Sequence, residues 1–528
     1  MAVFAQPGAA ERGSANAPAS RLTRNSLLRY SPAVVLLAVL IADSNRHTDP
    51  DLWGQLRFGQ DFLRHGRVLR HDPYGYSAPG HLWQDYEWLA QVVMALAYNA
   101  AGVVGLKLWK FVCTALTVIF IADTEAETGA SPSIQTVVLL LASIGLVLVM
   151  QFWAQIFTTV LCAALLSLLA RDNYRRDAPL WLAIPMMMLW ANLHAGFFVG
   201  LVMLATYSSV TTLVDLREGV GWSRGFRLGA ITGAAAFATL MNPYGLGMWQ
   251  AVGRTLSEPY KRAAIDEWQP MFLAMAEQWN QAHSGIVFYV AVIALIAGLA
   301  AAFAITPRGR DLPLVAIAAI MAVATCLSVR NMSLAVVASS GPLARHLTLA
   351  GQRRRRAAPS PIPRPVNQWL MLGLCAALVV QGGLLSKRLP WDRAYPAGAL
   401  SFMRKRNLQG NVLCEFEWGE YLIWHAAPAD KIFVDGRYDT AYPPEVIHDY
   451  LLFRFDLPGG AHVLDAYPHD FVLISTAAAP ARHLMERRND WKLLYRDDDA
   501  LLYARARASA ASLPGLPVTG AAHPGGFP

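Results

Sequence analysis

The chain has 528 residues, 55% hydrophobic and 16% charged, with a formal net charge of +8 and a mean hydropathy of +0.31. A soluble chain carries nearer a quarter charged residues, so composition excludes an ordinary globular enzyme and predicts a polytopic α-helical membrane protein. The positive charge does not mark a nucleic-acid binder, because the arginines cluster in short segments between apolar runs and no basic-aromatic module accompanies them.

Residues 1–30 are rich in Ala, Ser and Arg and read as a disordered cytoplasmic arm, held inside by Arg21, Arg24 and Arg29. The apolar run at 32–42 has the length of a signal-peptide core or of a short span. A span is preferred, because the polar loop after it, 43–88, needs an anchor at each end. Within that loop Leu52, Leu56, Phe58, Phe62 and Leu63 alternate with Gln55, Arg57, Gln60 and Asp61. This spacing predicts an amphipathic helix over 52–63, lying on the membrane surface. Gly66, Asp72-Pro73 and Pro79-Gly80 then punctuate the chain, and Trp83, Tyr86 and Trp88 mark its return to the interface.

Apolar runs follow at 88–105, 107–122, 134–150, 152–170, 179–193, 196–214, 227–241, 285–305, 312–327, 331–349 and 368–385. The arginines at 171–176, 217–227, 308–310 and 353–356 should be cytoplasmic, which puts the second polar loop, 242–284, and the tail on the outer side. With 32–42 the runs number twelve, and an even number would return the tail to the side of the N-terminus. One run must turn back or cross halfway, and 134–170 and 331–349 are the segments expected to hold it. About 11 crossings remain, within a module spanning 31–386.

From 387 the composition changes. Segments 411–415, 431–434, 471–475, 491–495 and 500–503 predict short strands, with helical spacing at 445–455, 463–467 and 481–488. The alternation predicts a small extracytoplasmic α/β domain over 387–510, with a mostly parallel sheet that ends in a hairpin across 497–499. Residues 511–528 are expected to be disordered. Cys113, Cys162, Cys326 and Cys375 lie in apolar runs and Cys414 alone in the tail, so no disulfide framework and no Cys-based metal site is implied.

Carboxylates beside a bilayer are costly unless they face water, a metal or a partner, so Asp49, Asp51, Asp85 and Glu87 are the first candidate site residues. Asp49-Pro50-Asp51 sets two acids just outside a span, with Pro50 biasing Asp49 toward an extended conformation. Such a pair can ligate a divalent cation, or one acid can act as base while the other orients it. Either can equally cap the helix that follows, and Asp85 and Glu87 admit the same reading for a helix starting near 88. His194 ends an apolar run beside Asn192, where a neighbouring helix or a substrate would be its partner. Asp435, Arg437 and Asp439 fit either sugar contacts or an end-of-strand turn with internal ion pairs.

The series Asp-Pro-Asp-Leu-Trp (49–53), Asp-Pro-Tyr (72–74), Glu-Trp-Leu (87–89), Trp-Ala-Asn-Leu-His (190–194), Asn-Pro-Tyr-Gly (242–245), Glu-Trp-Gln-Pro (267–270) and Arg-Asn (330–331) resembles bacterial membrane proteins of the C-type glycosyltransferase superfamily. The resemblance covers most of residues 30–350. In the tail, Trp-Gly-Glu-Tyr-Leu (418–422) and Phe-Val-Asp-Gly-Arg-Tyr-Asp (433–439) resemble the soluble domain of one branch. The resemblance implies a polytopic fold whose first outer loop carries a catalytic carboxylate. It also implies inverting transfer of a sugar from a polyprenyl-phosphate donor to a lipid, glycan or protein acceptor on the outer face of the bacterial inner membrane. Asp49 matches the loop carboxylate best and Asp51 second. The departing phosphate calls for cations, for which Arg254, Lys261, Arg262 and Arg330 are candidates ahead of Arg57. Asp85, Glu87 and His194 complete the substrate-binding set. Some superfamily members pair such acids with a divalent cation such as Mg or Mn and others use none; Asp49 and Asp51 are the residues that would hold one. Two rivals remain: a transporter or flippase of lipid-linked saccharide, against which spans poor in charge and the lack of an internal repeat argue, and a non-catalytic envelope-assembly partner that presents the tail.

Overall fold

A computed structural model of the chain describes residues 49–147, 149–257, 266–281, 285–306, 311–354, 389–390, 395–506, 519–520 and 526–527. The expected arm, the runs at 32–42 and 368–385, and most of the segment after 506 lie outside them. The helical part runs α1 (Leu52–His65), α2 (Trp88–Glu127), α3 (Pro132–Leu146), α4 (Gln155–Arg175), α5 (Ala183–Leu193), α6 (Phe197–Arg217), α7 (Ser223–Ala238), α8 (Leu246–Ser257), α9 (Met271–Gln281), α10 (Ile286–Ile305), α11 (Leu312–Leu327) and α12 (Met332–Arg354). Of these α2, α4, α6 and α10 are long and apolar enough to cross a membrane, and α3, α5 and α11 are shorter apolar helices.

Polar contacts distinguish the two ends of this bundle. At one end Arg175 meets Glu127 at 2.5 Å, Arg224 meets Asp172 at 2.6 Å, and Tyr174 donates to Asp311 at 2.8 Å. Arg345 of α12 joins them through the Thr128 carbonyl at 2.9 Å. At the other end, the turns around 153–155, 194–196 and 330–331 border a single cleft. Helices α3 and α4 each run from one end to the other, and α12 continues through Pro342. Neither 134–170 nor 331–349 turns back, as the apolar count had required of one run.

The run that stays at one end of the bundle is 88–105. Ala101 and Gly102 break α2, with Gly102 at φ 58° and ψ −140°, a conformation nearly reserved to glycine. Before the break the helix stays at the cleft end and packs on α1. Gly59 approaches so closely that an added Cβ would lie 2.2 Å from the Gln91 carbonyl oxygen. The Phe62 and Trp88 rings are 5.0 Å apart, and Tyr98 reaches Trp424 of the tail at 5.8 Å. Two apolar runs that read as two spans are therefore one helix held at the cleft end followed by one that runs to the opposite end.

The tail contains α13 (Ala397–Lys405), β1 (Asn411–Cys414), α14 (Gly419–Ala426), β2 (Lys431–Ile432), α15 (Pro444–Arg454), α16 (Gly460–Ala466), β3 (Phe471–Ser475), α17 (Ala479–Glu486), β4 (Trp491–Asp497), β5 (Ala500–Arg505) and β6 (Thr519–Gly520). The sheet order is β2-β1-β3-β5-β4-β6. Strand β1 is parallel to β2 and β3, where helices make the crossovers, whereas β3-β5 and β5-β4 are antiparallel. With β4-β6 also parallel, three of the five pairings are parallel, as expected, and the terminal hairpin inserts β5 beside β3. A separate short pair joins Leu389–Pro390 to Gly526–Phe527. Cys414 is buried inside β1, so it does not serve as a surface thiol for labelling.

The first loop is built into this domain. Ile432 donates to the Tyr74 carbonyl at 3.0 Å and Tyr76 donates to the Ile432 carbonyl at 3.2 Å, which covers the β2 edge. Arg437 grips Asp72 through two bonds of 2.7 and 3.0 Å while bonding Asp435 at 2.6 Å, and its guanidinium lies 4.7 Å from the Trp83 ring. Trp53 of α1 sits among Tyr395, Tyr421, Trp424 and His425, with centroids 4.9–6.1 Å away. Helix α1 is therefore a strut between α2 and the tail domain, instead of floating its apolar face on lipid.

Candidate active site

The chain enters α1 through the Asp49-Pro50-Asp51 turn. Asp49 Oδ1 accepts the Asp51 N–H at 2.9 Å and the Asp49 carbonyl accepts the Leu52 N–H at 3.1 Å, so Asp49 shapes the turn as an Asx residue does. Asp51 faces the tail domain. An added Cβ on Gly436 would lie 2.1 Å from Asp51 Oδ1 and 3.1 Å from Glu420 Oε1, so the missing side chain is what lets these carboxylates converge. Glu420 Oε2 accepts the Gly54 N–H at 3.0 Å, one of the amides that a helix start leaves without an intrahelical partner. Burial, with Asp49 and Glu87 beside it, pushes the Asp51 carboxyl well above the usual range, and burial together with Asp51 does the same to Glu420.

Beneath this wall lie Asp85 and Glu87. Asp85 accepts from Gln91 Nε2 at 2.8 Å, and its own N–H donates to the Tyr244 hydroxyl at 2.9 Å, which ties the Asn-Pro-Tyr-Gly turn to the first loop. Glu87 accepts from Gln55 at 3.3 Å and faces His194 Nε2 at 3.4 Å. The Gly196 N–H donates to His194 Nδ1 at 2.9 Å, so Nδ1 is an acceptor and the ring proton sits on Nε2, toward Glu87. Burial, reinforced by Arg330, holds His194 down to about 3, and the ring is neutral. Burial lifts Asp85 and Glu87 each to about 7.

The cation on the helical-bundle side of the cleft, among the described residues, is Arg330. Its guanidinium lies 5.5 Å from the Trp153 ring and 5.7 Å from the Trp268 ring, with a long ion pair of 3.4 Å to Glu267. Gln155 anchors the backbone by donating to the Arg330 carbonyl at 2.8 Å. Of the other cation candidates, the described ones are not in the cleft. Arg254 is exposed and bonds Gln84 at the rim; Arg57 pairs with Asp61 at 3.1 Å on its own helix; Lys261 and Arg262 lie outside the described residues. Asp49, Asp51, Asp85, Glu87, His194 and Arg330 all line one cleft of about 820 Å³, together with Thr255 and Glu267 of the second loop.

No protein-family model matches the chain, and no curated protein matches it either. Solved structures do. The oligosaccharyltransferase of Archaeoglobus fulgidus, tethered with an acceptor peptide containing the NVT sequon, gives a TM-score of 0.52 at 13% identity, over 90% of this chain and 74% of that one. An arabinofuranosyltransferase from Mycobacteria gives 0.51 at 17% identity, over 92% of this chain and 40% of its own. This chain has the fold of the C-type glycosyltransferases.

In this C-type glycosyltransferase fold the far wall of the cleft comes from the tail domain, through Phe416, Glu417, Glu420, Tyr438, Asp439 and Arg454. Sequence reasoning weighed Asp439 as a sugar contact and missed the others as site residues, although Trp-Gly-Glu and Asp-Gly-Arg-Tyr-Asp already stood out as motifs. Asp435 and Arg437 take the ion-pair reading, since Arg437 is the clasp on Asp72. Trp190 and Asn192 support the site from behind: Trp190 Nε1 donates to Thr158, and Asn192 accepts from Trp88 Nε1 at 3.2 Å. Among the described residues no three His, Cys, Asp or Glu side chains converge on a metal position.

Proposed function

We propose that this chain is an inverting glycosyltransferase, moving a sugar from a polyprenyl-phosphate-linked donor to an acceptor on the outer face of the bacterial inner membrane. The observation that carries this reading is the placement of the first-loop acids and Arg330 around one cleft, at one end of an apolar helical bundle. The acceptor hydroxyl gives its proton to Asp49, which Asp51 flanks, as its oxygen attacks the anomeric carbon. The bond from that carbon to the phosphate oxygen breaks, and attack from the opposite side inverts the centre. The phosphate leaves toward Arg330, a planar cation suited to bidentate phosphate contacts. Neutral His194 and Glu87 below them can hold sugar hydroxyls.

Asp49 and Asp51 also present two carboxylates, the number that a Mg or Mn ion takes from a protein when a substrate phosphate supplies the rest. When bound, such an ion would neutralise charge on that phosphate. Arginines 171, 175, 176, 224 and 227 gather at the end opposite the cleft, which supports an extracytoplasmic cleft and tail by the positive-inside rule. The fold neighbours are themselves glycosyl-transferring proteins, which supports the reaction class.

The test uses the full chain in proteoliposomes. Arg330→Gln is expected to weaken binding of undecaprenyl phosphate by about 10- to 100-fold, the worth of a charge-assisted hydrogen bond, and to slow transfer as well. Unchanged binding and transfer would remove Arg330 from the site, and donor binding without any covalent product would favour a flippase.

A further inference from the structure

The two halves of the cleft differ in chemistry. The membrane half holds Arg330 between two indoles. In the tail half, the guanidinium groups are already engaged: Arg454 pairs with Glu415 at 2.6 Å, and Arg437 with Asp435 and Asp72. What that half adds to the lining are carboxylates, Glu417 and Asp439, and the aromatic rings of Phe416 and Tyr438.

The two rings are placed deliberately. Their centroids are 4.3 Å apart. Tyr438 adopts φ 43°, a left-handed conformation that favours glycine, and a bulky residue persists there only where its surroundings impose it. The Ala441 and Tyr442 amides impose it, donating to the Tyr438 carbonyl at 3.1 and 2.9 Å. On the other ring, the Phe416 N–H donates to the Tyr450 hydroxyl at 2.8 Å. Asp439 is oriented from the second loop by Thr255, whose hydroxyl donates to it at 3.2 Å.

We propose that this wall is an acceptor subsite for an uncharged saccharide, with a sugar ring resting on Phe416 and Tyr438 and its hydroxyls donating to Glu417 and Asp439. A sugar ring has an apolar C–H face and a rim of donors. Rigid rings match the first at little entropic cost, and carboxylates, which only accept, match the second. A peptide acceptor held by strand addition is disfavoured, because the first loop already occupies the β2 edge. The inference rests on the transferase reading in one respect: a saccharide bound here presents its hydroxyl to Asp49.

The experiment is saturation-transfer NMR on the full chain in nanodiscs. The probes are neutral trisaccharides of glucose, mannose, galactose and arabinose, with trigalacturonate as the anionic comparison. At least one neutral trisaccharide is expected to bind and trigalacturonate is not. Tyr438→Gly should weaken the neutral sugar by about tenfold; glycine accepts the backbone angle, so this variant folds while losing the ring. Glu417→Gln, at an exposed position, should weaken it too. No binding by any neutral probe, equal binding of trigalacturonate, or indifference to both variants would overturn the proposal. Undecaprenyl phosphate binding, followed in the same nanodiscs, separates the two readings. Its loss from the wild-type chain would count against the transferase reading, whereas its retention beside absent saccharide binding would sink the subsite alone.

Discussion

Gly436 lets the tail domain touch the first-loop acids, so Gly436→Ala perturbs the site without removing any reactive group. The new Cβ would stand 2.1 Å from Asp51 Oδ1, 2.8 Å from Asp51 Cγ and 3.1 Å from Glu420 Oε1. Real Cβ atoms essentially never come closer than 3.0 Å to another heavy atom, so the Asp51 carboxylate must retreat by about 1 Å. The obstructing atoms belong mainly to side-chain ends. Overpacking then costs about 1–3 kcal/mol, partly offset by the ~0.4–1 kcal/mol that Gly→Ala gains through the unfolded chain. That is small against a total stability of about 5–15 kcal/mol, so the variant should fold. A displacement of about 1 Å in a group that positions the reacting base can nevertheless cost up to about 100-fold in rate. Sugar transfer in proteoliposomes, with thermal unfolding of the same preparation, should show kcat down by about that factor, donor KM near wild type and a midpoint lowered by a few degrees. Transfer at the wild-type rate by a folded Gly436→Ala chain would refute the reasoning, because Asp51 could then shift without consequence.

Two further outcomes concern the clasp and the buried acids. Arg437→Met leaves Asp72 and Asp435 buried without their shared cation, which should cost about 3–5 kcal/mol and expose the tail to limited proteolysis; adding Asp72→Asn and Asp435→Asn should recover most of the loss, and an unchanged unfolding midpoint in the single variant would contradict the clasp. Glu87 stands at about 7 in the folded chain against an ordinary 4.5, so the unfolded chain releases this proton first and stability falls as pH rises between those values. The loss amounts to about 3 kcal/mol at most. Glu87→Gln should flatten the fall in unfolding midpoint between pH 5 and 8, and an equally steep fall in the variant would assign the titration to Asp85 or elsewhere.

Much of this architecture is legible in the chain because its signals are local. Apolar run length marks the helices, and β-branched and aromatic runs mark β1, β3, β4 and β5 within a residue or two. The carboxylates at 49, 51, 85 and 87 stand out because acids beside a bilayer are costly, and the structure gathers all four around one cleft. What stays hidden is set by distant contacts. The run 88–105 has the hydropathy of a span, and only the break at Gly102 together with its packing on α1 shows that it stays at the cleft end. Phe416, Glu420 and Tyr438 sit more than 300 residues from Asp51 in the chain, and nothing local says that the Arg437 clasp brings their domain onto the first loop. Arg254 illustrates the opposite error: a cation in the right loop points to the rim instead of the cleft.

The most direct measurement is sugar transfer from a polyprenyl-phosphate donor by the Asp49→Asn, Asp51→Asn and doubly substituted chains. Asparagine keeps the size and most hydrogen bonding of aspartate but removes its charge and basicity. Asp49→Asn should lower turnover by about 10²–10⁴-fold, the range of general-base catalysis, while binding of undecaprenyl phosphate and expression change little. An Asp51→Asn loss of equal depth, reproduced in the wild type by a chelator, would assign the pair to a cation; a shallower loss insensitive to chelation would leave Asp49 as the base with Asp51 beside it. Wild-type transfer by all three variants would contradict the account, since the first-loop acids would then have no part in the chemistry.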